Sequence, residues 1–314
     1  MVNKIPKSLR KQMAKTKKIE NRKAKKQAKS EAKAIANSPY FEDGNPKLTI
    51  SICCFLDVLG YTAQNMNEKE PSSAVRLLND FYTAHNEALG ISNAFANEGI
   101  FYAKTFSDNI LLAKPFDFLE DDRFTRDNNG EAEFATIMHA ITNYQLDMAL
   151  KGFFTRGGLT YGPLFMDDKT IFGSALIEAH DLESKKAVNP IVLCSDELKK
   201  LLDIQLREYS GSDEDPPHAS SVYIQEDGSY FLNYLSAAAP DGTINTEKIR
   251  LHKTLVEQEL IKNAEIVKVH SKYRWLAGYH NYFCDLNSHL PGYSEDLKIQ
   301  DRSIKFGNLK KQMK

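Results

Sequence analysis

The stretch LTISICCFLDVLG, residues 48–60, decides how this chain reads. Its apolar residues dominate and run unbroken from Ile52 to Leu56, so it reads as a buried strand that stops at a sharp turn on Gly60. A single charge, Asp57, interrupts the run near its end. A carboxylate there stands at the edge of a sheet instead of inside the core.

Outward from that strand, Ser72 caps a helical pattern with Val75, Leu77, Leu78, Phe81 and Tyr82 on its apolar side. IFYAKTFSDNILLA, residues 100–113, holds two apolar runs broken by Phe106-Ser107-Asp108-Asn109, the pattern of a β-hairpin. Phe134 to Leu150 has helical periodicity, with Ile137, Met138, Ile141 and Met148 facing inward. A strand over Phe153–Tyr161 precedes a turn at Gly162-Pro163 and a short return strand. Gly173 opens a helix through Lys186, with Ala175, Leu176, Ala179 and Leu182 on one side, and Pro190–Cys194 is a further strand. Strands and helices in this order give an α/β sandwich of the ferredoxin-like, palm type.

The flanks differ in kind. From Lys4 to Lys33 there are thirteen Lys and Arg against Glu20 and Glu31, a local charge of +11 within a chain of net charge −1. Residues 1–38 therefore read as a basic, low-complexity tail, either solvated or in weak contact with nucleic acid or an anionic surface. Residues 45–205 hold the α/β domain. Residues 206–314 form a C-terminal extension: a polar connection (SGSDEDPPHASS), a hairpin about Asp227-Gly228, and one long amphipathic helix from Thr246 to about Asp285. No apolar run approaches 18 residues and no leader pattern is present, so a cytoplasmic protein with no membrane span is expected. Cys53, Cys54, Cys194 and Cys284 lack the spacing of a zinc site and read as reduced, buried thiols.

The chemistry concentrates on Asp57 and Asp108. The strand bearing the first and the hairpin bearing the second can pair, which sets two carboxylates side by side. Such a pair with open positions suits Mg²⁺ or Mn²⁺, whose shells keep water and substrate oxygens. Two ions so held serve an in-line phosphoryl displacement. Asp167-Asp168 reads as a turn, and His280 and Trp275 as helix packing.

These segments resemble those of class III adenylyl and guanylyl cyclases. FLDVLGY (residues 55–61) is similar to the family's metal-binding strand F-x-D-I-x-G-F, and KTFSD (104–108) to its K-x-x-G-D hairpin. RGGLTYG (156–162) is similar to the strand R-x-G-I-x-x-G, and the helix from Gly173 to the one opening G-x-x-V-N-x-A. The resemblance spans about 150 residues, Leu48 to Cys194. It implies Asp57 and Asp108 as metal ligands, aided by the Val58 carbonyl, with Arg156 facing the triphosphate. It also implies a symmetric homodimer whose two sites are each shared between protomers.

Where the family carries a transition-state Asn and Arg, this chain has Ile177 and Asp181. Lys104 keeps the base-reading lysine, but its acidic partner is Thr170. That combination, with the closing KYRWLAGYHN helix, looks like the pyrimidine cyclases of bacterial Pycsar antiphage systems. This implies conversion of UTP or CTP to a cyclic monophosphate that activates a separate effector. Tyr61 then narrows the base pocket, and Lys104 and Thr170 read the base edge. Each also has a plainer reading: Tyr61 as a core aromatic, Lys104 as a solvated lysine, Thr170 as an ordinary strand residue. Separately from the resemblance, Lys186 beyond Glu178 and His180 on the Gly173 helix is a candidate for the missing phosphate contact, its plainer reading being a solvated helix face. An adenylyl or guanylyl cyclase, an inactive nucleotide sensor, and a nucleic-acid module built on the tail remain the alternatives.

Overall fold

The structure is a computed structural model. It describes residues 38–61, 70–95, 102–115, 129–209, 215–216, 218–300 and 309–311, with the isolated residues 22, 23 and 25. The reading of the basic tail therefore lies almost wholly outside the described residues.

The expected buried strand is β1, Thr49–Val58. Helix α1 (Pro71–Phe95) follows, then the hairpin β2 (Tyr102–Phe106) and β3 (Asn109–Pro115), helix α2 (Asn129–Leu150) and strand β4 (Thr155–Met166). These strands lie side by side in the order β4-β1-β3-β2, every neighbouring pair antiparallel. This β-α-β-β-α-β sequence and strand order is the ferredoxin-like arrangement. The α/β class expected from the sequence is the class observed.

Beyond β4 come the short β5 (Ile171–Phe172), helix α3 (Ser174–Asp181) continued by a wide turn over Leu182–Lys186, β6 (Val192–Cys194) and helix α4 (Asp196–Glu208). Strands β7 (Val222–Gln225) and β8 (Tyr230–Leu232) form the predicted hairpin, and β8 pairs with β6, so the hairpin extends the central sheet. Helices α5 (Thr246–Lys262) and α6 (Val267–Leu286) close the C-terminal part, and β9 (Leu309–Lys311) pairs with β7.

Strand β1 reads as apolar from Ile52 to Leu56 because both its faces are covered. Ile52, Cys54, Leu56 and Val58 meet α1 and α2 through Phe81, Ala84, Ala88, Ile137, Met138 and Ile141. Cys53 and Phe55 point the other way, under Tyr40, Ala175 and Ala179. Asp57 belongs to this second face, at the end of the strand. A separate core joins α2 to the extension through Leu146, Phe154, Phe231, Tyr234, Leu276, Tyr279 and Phe283.

Three local expectations are corrected. Val75, Leu78 and Tyr82 of α1 are exposed, because Phe81, Ala84 and Ala88 turn the helix's other side to the sheet. Gly162-Pro163 is no turn: β4 runs straight through it, with Pro163 opposite Ile50. Among the described residues β4 there has a strand neighbour on one side only, since β6 pairs with Gly157 to Leu159, so the proline's missing N–H is tolerated. The reversal comes later, where Asp167 Oδ1 accepts from the N–H groups of Lys169 and Thr170 at 2.8 and 2.6 Å. Finally, the long C-terminal helix is two helices. Asn263 ends the first by turning its Nδ2 back onto the Glu259 carbonyl at 2.8 Å, and Ile266 begins the second.

Candidate active site

Asp57 lies opposite Arg156 on β4 and opposite Asn109 on β3, so the register places it beside the β2–β3 turn. That turn bends through Ser107 at φ +59, and the Asp108 carbonyl accepts from Val58 N–H at 3.3 Å. The two predicted carboxylates are thus brought together. Burial pushes the Asp57 carboxyl above its ordinary range, the bond from Arg156 opposes that, and the neighbouring Asp108 adds to the rise. A half-buried carboxylate whose ionisation is made costlier by a neighbouring carboxylate marks a place where a cation is favoured.

Arg156 organises the rest. Its Nε donates to Asp57 Oδ2 at 3.1 Å, and its Nη1 to the Ala187 carbonyl at 3.2 Å. Its Nη2 lies 2.7 Å from Glu183 Oε1, close enough for an ion pair though off the line of a hydrogen bond. The guanidinium expected to face a triphosphate is thus engaged by protein groups on all three nitrogens. Its partner Glu183 is almost fully buried, and burial raises its carboxyl against the pull of Arg156.

Two glycines let α3 deliver Glu183. A Cβ on Gly158 would stand 2.3 Å from the Ala179 carbonyl oxygen and 2.5 Å from Leu182 Cβ. Helix α3 therefore rests on the bare backbone of β4, one turn before Glu183. At the helix start, a Cβ on Gly173 would meet the Pro163 oxygen at 2.2 Å, at a φ of +145 that side chains rarely adopt.

The remaining predicted residues are spread out. Lys104 is half-buried on β2 and shares the Asp57 face of the sheet, two strands and one pleat away, about 12 Å between Cα positions. Tyr61 lies at the other side of the strand end, its ring 5.7 Å from that of Phe81. Thr170 is exposed in the turn after β4, ten residues of strand or roughly 33 Å from the Arg156 row, so one protomer does not bring it to Asp57. Lys186 is exposed and borders an open depression of about 420 Å³, lined also by Ile177, Glu178, Asp181 and Lys185. Glu178 is tied down by Thr160, whose Oγ1 donates to its Oε2 at 2.7 Å, while His180 sits edge-on over Phe55 at 5.2 Å.

Sequence reasoning missed two residues. Glu183 had a usable signal, since it follows Ala179 at i+4 on the buried face of its helix. Lys272 had none. It stands on α6 beside Tyr273, whose ring packs on Phe154 at 5.7 Å, and so reaches the Arg156 end of β4 only through tertiary docking. Burial lowers its ammonium, Arg156 and Lys268 push the same way, and Asp57 opposes them.

The donor set fits hard divalent ions. Among the described residues no three His, Cys, Asp or Glu side chains converge on one point. Mg²⁺ and Mn²⁺ do not require that, being held by one or two carboxylates with substrate phosphates and water. Asp57, Asp108 and the Val58 carbonyl would serve.

No protein-family model matches the chain, and no curated protein matches it either. Several solved structures do. The adenylyl cyclase CyaB from P. aeruginosa is 18% identical, with a TM-score of 0.38, covering 50% of this chain and 82% of that one. The dimeric guanylyl cyclase domain of the RhoGC fusion protein from the aquatic fungus Blastocladiella emersonii is 16% identical, with a TM-score of 0.34 and coverages of 59% and 96%. The guanylyl cyclase Cya2 is 10% identical, with a TM-score of 0.36 and coverages of 59% and 91%. At these values the likeness assigns neither activity nor residue roles to this chain. Among the described residues no helix is long and apolar enough to cross a membrane.

Proposed function

We propose that the protein is a nucleotidyl cyclase that closes a nucleoside triphosphate into its 3′,5′-cyclic monophosphate and releases pyrophosphate. One observation carries this: Asp57 and Asp108 meet at the end of a ferredoxin-like sheet, on the face where Arg156, itself paired with Glu183, fixes the first carboxylate. Two Mg²⁺ or Mn²⁺ ions, when bound, would lower the cost of the 3′-oxyanion and of the departing pyrophosphate. Asp57, Asp108 and the Val58 carbonyl would hold them. Arg156 keeps Asp57 oriented and offsets part of its charge. The 3′-oxygen bonds to the α-phosphorus, the bond from that phosphorus to the bridging oxygen breaks, and the 3′-hydroxyl proton passes to solvent.

The finer reading is a pyrimidine cyclase, with UTP first and CTP second. Its support is the residue set read from the sequence: Tyr61 restricting the base pocket, Lys104 and Thr170 offered to the base edge, and Lys186 to phosphate. Thr170 cannot join Asp57 within one protomer, which favours a homodimer with two composite sites. Phe106, Phe172 and Ile177 are exposed and apolar, a further reason to expect a second copy there. In this reading the enzyme is cytoplasmic, and its product is an antiphage second messenger acting on a separate effector. The inactive sensor is kept alive by Ile177 and Asp181, which cannot do transition-state work, and by an Arg156 already engaged.

The test is Asp57→Ala and Asp108→Ala in a cyclisation assay with Mn²⁺. Each variant is expected to lose activity to background while staying folded. Turnover unaffected by both changes would end the metal assignment.

A further inference from the structure

Arg156 spends its three nitrogens on Asp57, Glu183 and Ala187, and Asp181 pairs with Lys185 at 2.7 Å. Neither position offers a free cation to a polyphosphate. Besides the exposed Lys186, the described residues hold a half-buried cation beside this cluster, and it comes from the C-terminal extension. Lys272 is half-buried on α6, within electrostatic range of both Arg156 and Asp57, and makes no hydrogen bond or ion pair among the described residues. Tyr273, stacked edge-on against Phe154, and Leu276, fully buried, fix this part of α6 against the end of β4.

A half-buried ammonium without a counter-ion is costly, and polar side chains so placed are normally paired. Lys268 adds to the cost. It lies four residues earlier, on the same side of the helix, and like charges at that spacing repel. The nearby acid Asp57 is already taken up by Arg156, so the lysines do not serve to neutralise it. Lys272 beside the Asp57 end of the carboxylate pair, with the exposed Lys268 one turn behind it on the same helix face and neither ammonium in a hydrogen bond or ion pair among the described residues, completes a site for a highly charged anion.

We propose that Lys272, with Lys268 one turn behind it, forms the polyphosphate subsite of this active centre, contacting the β- and γ-phosphates of the nucleotide. The extension is then part of the active site. Lys272 supplies the charge that the engaged Arg156 and the acidic Asp181 do not. This rests on the nucleotidyl cyclase reading for the identity of the ligand. Its chemical core, an anion site for condensed phosphate, stands on the lysines themselves.

The experiment titrates inorganic tripolyphosphate and pyrophosphate calorimetrically, with Mg²⁺ present, into the full chain and into Lys272→Met, Lys272→Arg and Lys268→Met. Lys272→Met is expected to weaken tripolyphosphate at least tenfold, the loss of one charge-assisted contact being worth about one to two decades in affinity. Lys272→Arg should recover most of it, while Lys268→Met has a smaller effect. Thermal midpoints report folding, and if Lys272→Met does not fold, Lys272→Gln takes its place. Unchanged tripolyphosphate affinity in the folded methionine or glutamine variant overturns the proposal. In turnover, the same variant should lower kcat/KM and relieve inhibition by pyrophosphate, with Lys272→Arg rescuing both. If no triphosphate is cyclised yet tripolyphosphate binding depends on Lys272, the subsite holds and the cyclase reading falls. If cyclisation occurs and is indifferent to Lys272, the subsite alone falls.

Discussion

Replacing Gly158 by alanine should loosen the site without touching any charged group. The added methyl would begin 2.3 Å from the Ala179 carbonyl oxygen and 2.5 Å from Leu182 Cβ, where ordinary contacts start near 3.4 Å. Backbone on one side and a branch point on the other leave no flexible tip to swing away, so α3 must lift by about 1 Å. Overpacking of this kind costs about 1–3 kcal/mol. For a domain of this size each kcal/mol lowers the melting temperature by roughly 2–4 °C. The same lift withdraws Glu183 from Arg156, and a misplacement of about 1 Å at a reacting centre can lower turnover 10²-fold. Gly162→Ala is the control on the same face of the same strand. Its methyl would meet Ala175 Cβ at 3.7 Å, an ordinary contact, so melting should hold or rise slightly as the unfolded chain loses freedom. Paired melting curves and cyclisation rates for the two variants make the comparison. A Gly158→Ala protein that melts and turns over like the wild type, or a Gly162→Ala protein equally impaired, would refute the packing argument.

Two further outcomes follow from the charges. Asp57→Asn should abolish turnover yet leave the metal-free protein as stable as before or more so, because burial and Asp108 together raise the carboxyl's cost of ionisation against the pull of Arg156. A clear fall in its metal-free melting temperature would contradict this. His252 and His280 stack in the core of the extension in a chain of bonds: Tyr234 Oη to His252 Nε2 at 2.7 Å, the two Nδ1 atoms at 2.9 Å, and His280 Nε2 to the Leu297 carbonyl at 2.8 Å. Burial holds His252 well below its ordinary value and His280 down to about 4. The unfolded chain therefore takes up protons from about pH 6.5 downward while the folded one does not. The stability these rings confer is complete above that pH and is lost as pH falls toward 4, at up to about 1.4 kcal/mol per pH unit for each ring. Denaturant melts at pH 7.5 and 5.5 should show the loss, and His252→Asn with His280→Asn should flatten it. An equal slope in that double variant would exclude the pair as its source.

What could be read from the sequence was local. The apolar run Ile52–Leu56 of β1, the polar break at Phe106–Asn109 and the 3.6-residue pattern of α2 each reflect burial close along the chain. They sufficed for the ferredoxin-like order and for the meeting of Asp57 with Asp108. Long-range docking left weaker marks. Val75, Leu78 and Tyr82 have helical spacing, but which side of α1 meets the sheet is set by the small residues Ala84 and Ala88. Pro163 looks like a turn unless it is known that β4 has an open edge there. The break at Asn263 depends on a side chain folding back onto its own helix. Arg156 could be placed on its strand from the sequence, whereas its partners Glu183 and Ala187 come from a later turn. Lys272 reaches the site only because Tyr273 finds Phe154.

The central claim is that this site cyclises a nucleoside triphosphate, and the most direct test offers all four. The purified protein is incubated with Mn²⁺ or Mg²⁺ and ATP, GTP, CTP or UTP separately, and the products are resolved by mass. The account predicts a 3′,5′-cyclic pyrimidine monophosphate with an equal amount of pyrophosphate, from UTP above all. A cyclic purine would keep the metal pair and discard the role given to Tyr61. No cyclic product from any of the four, with either metal, would contradict the account at its centre.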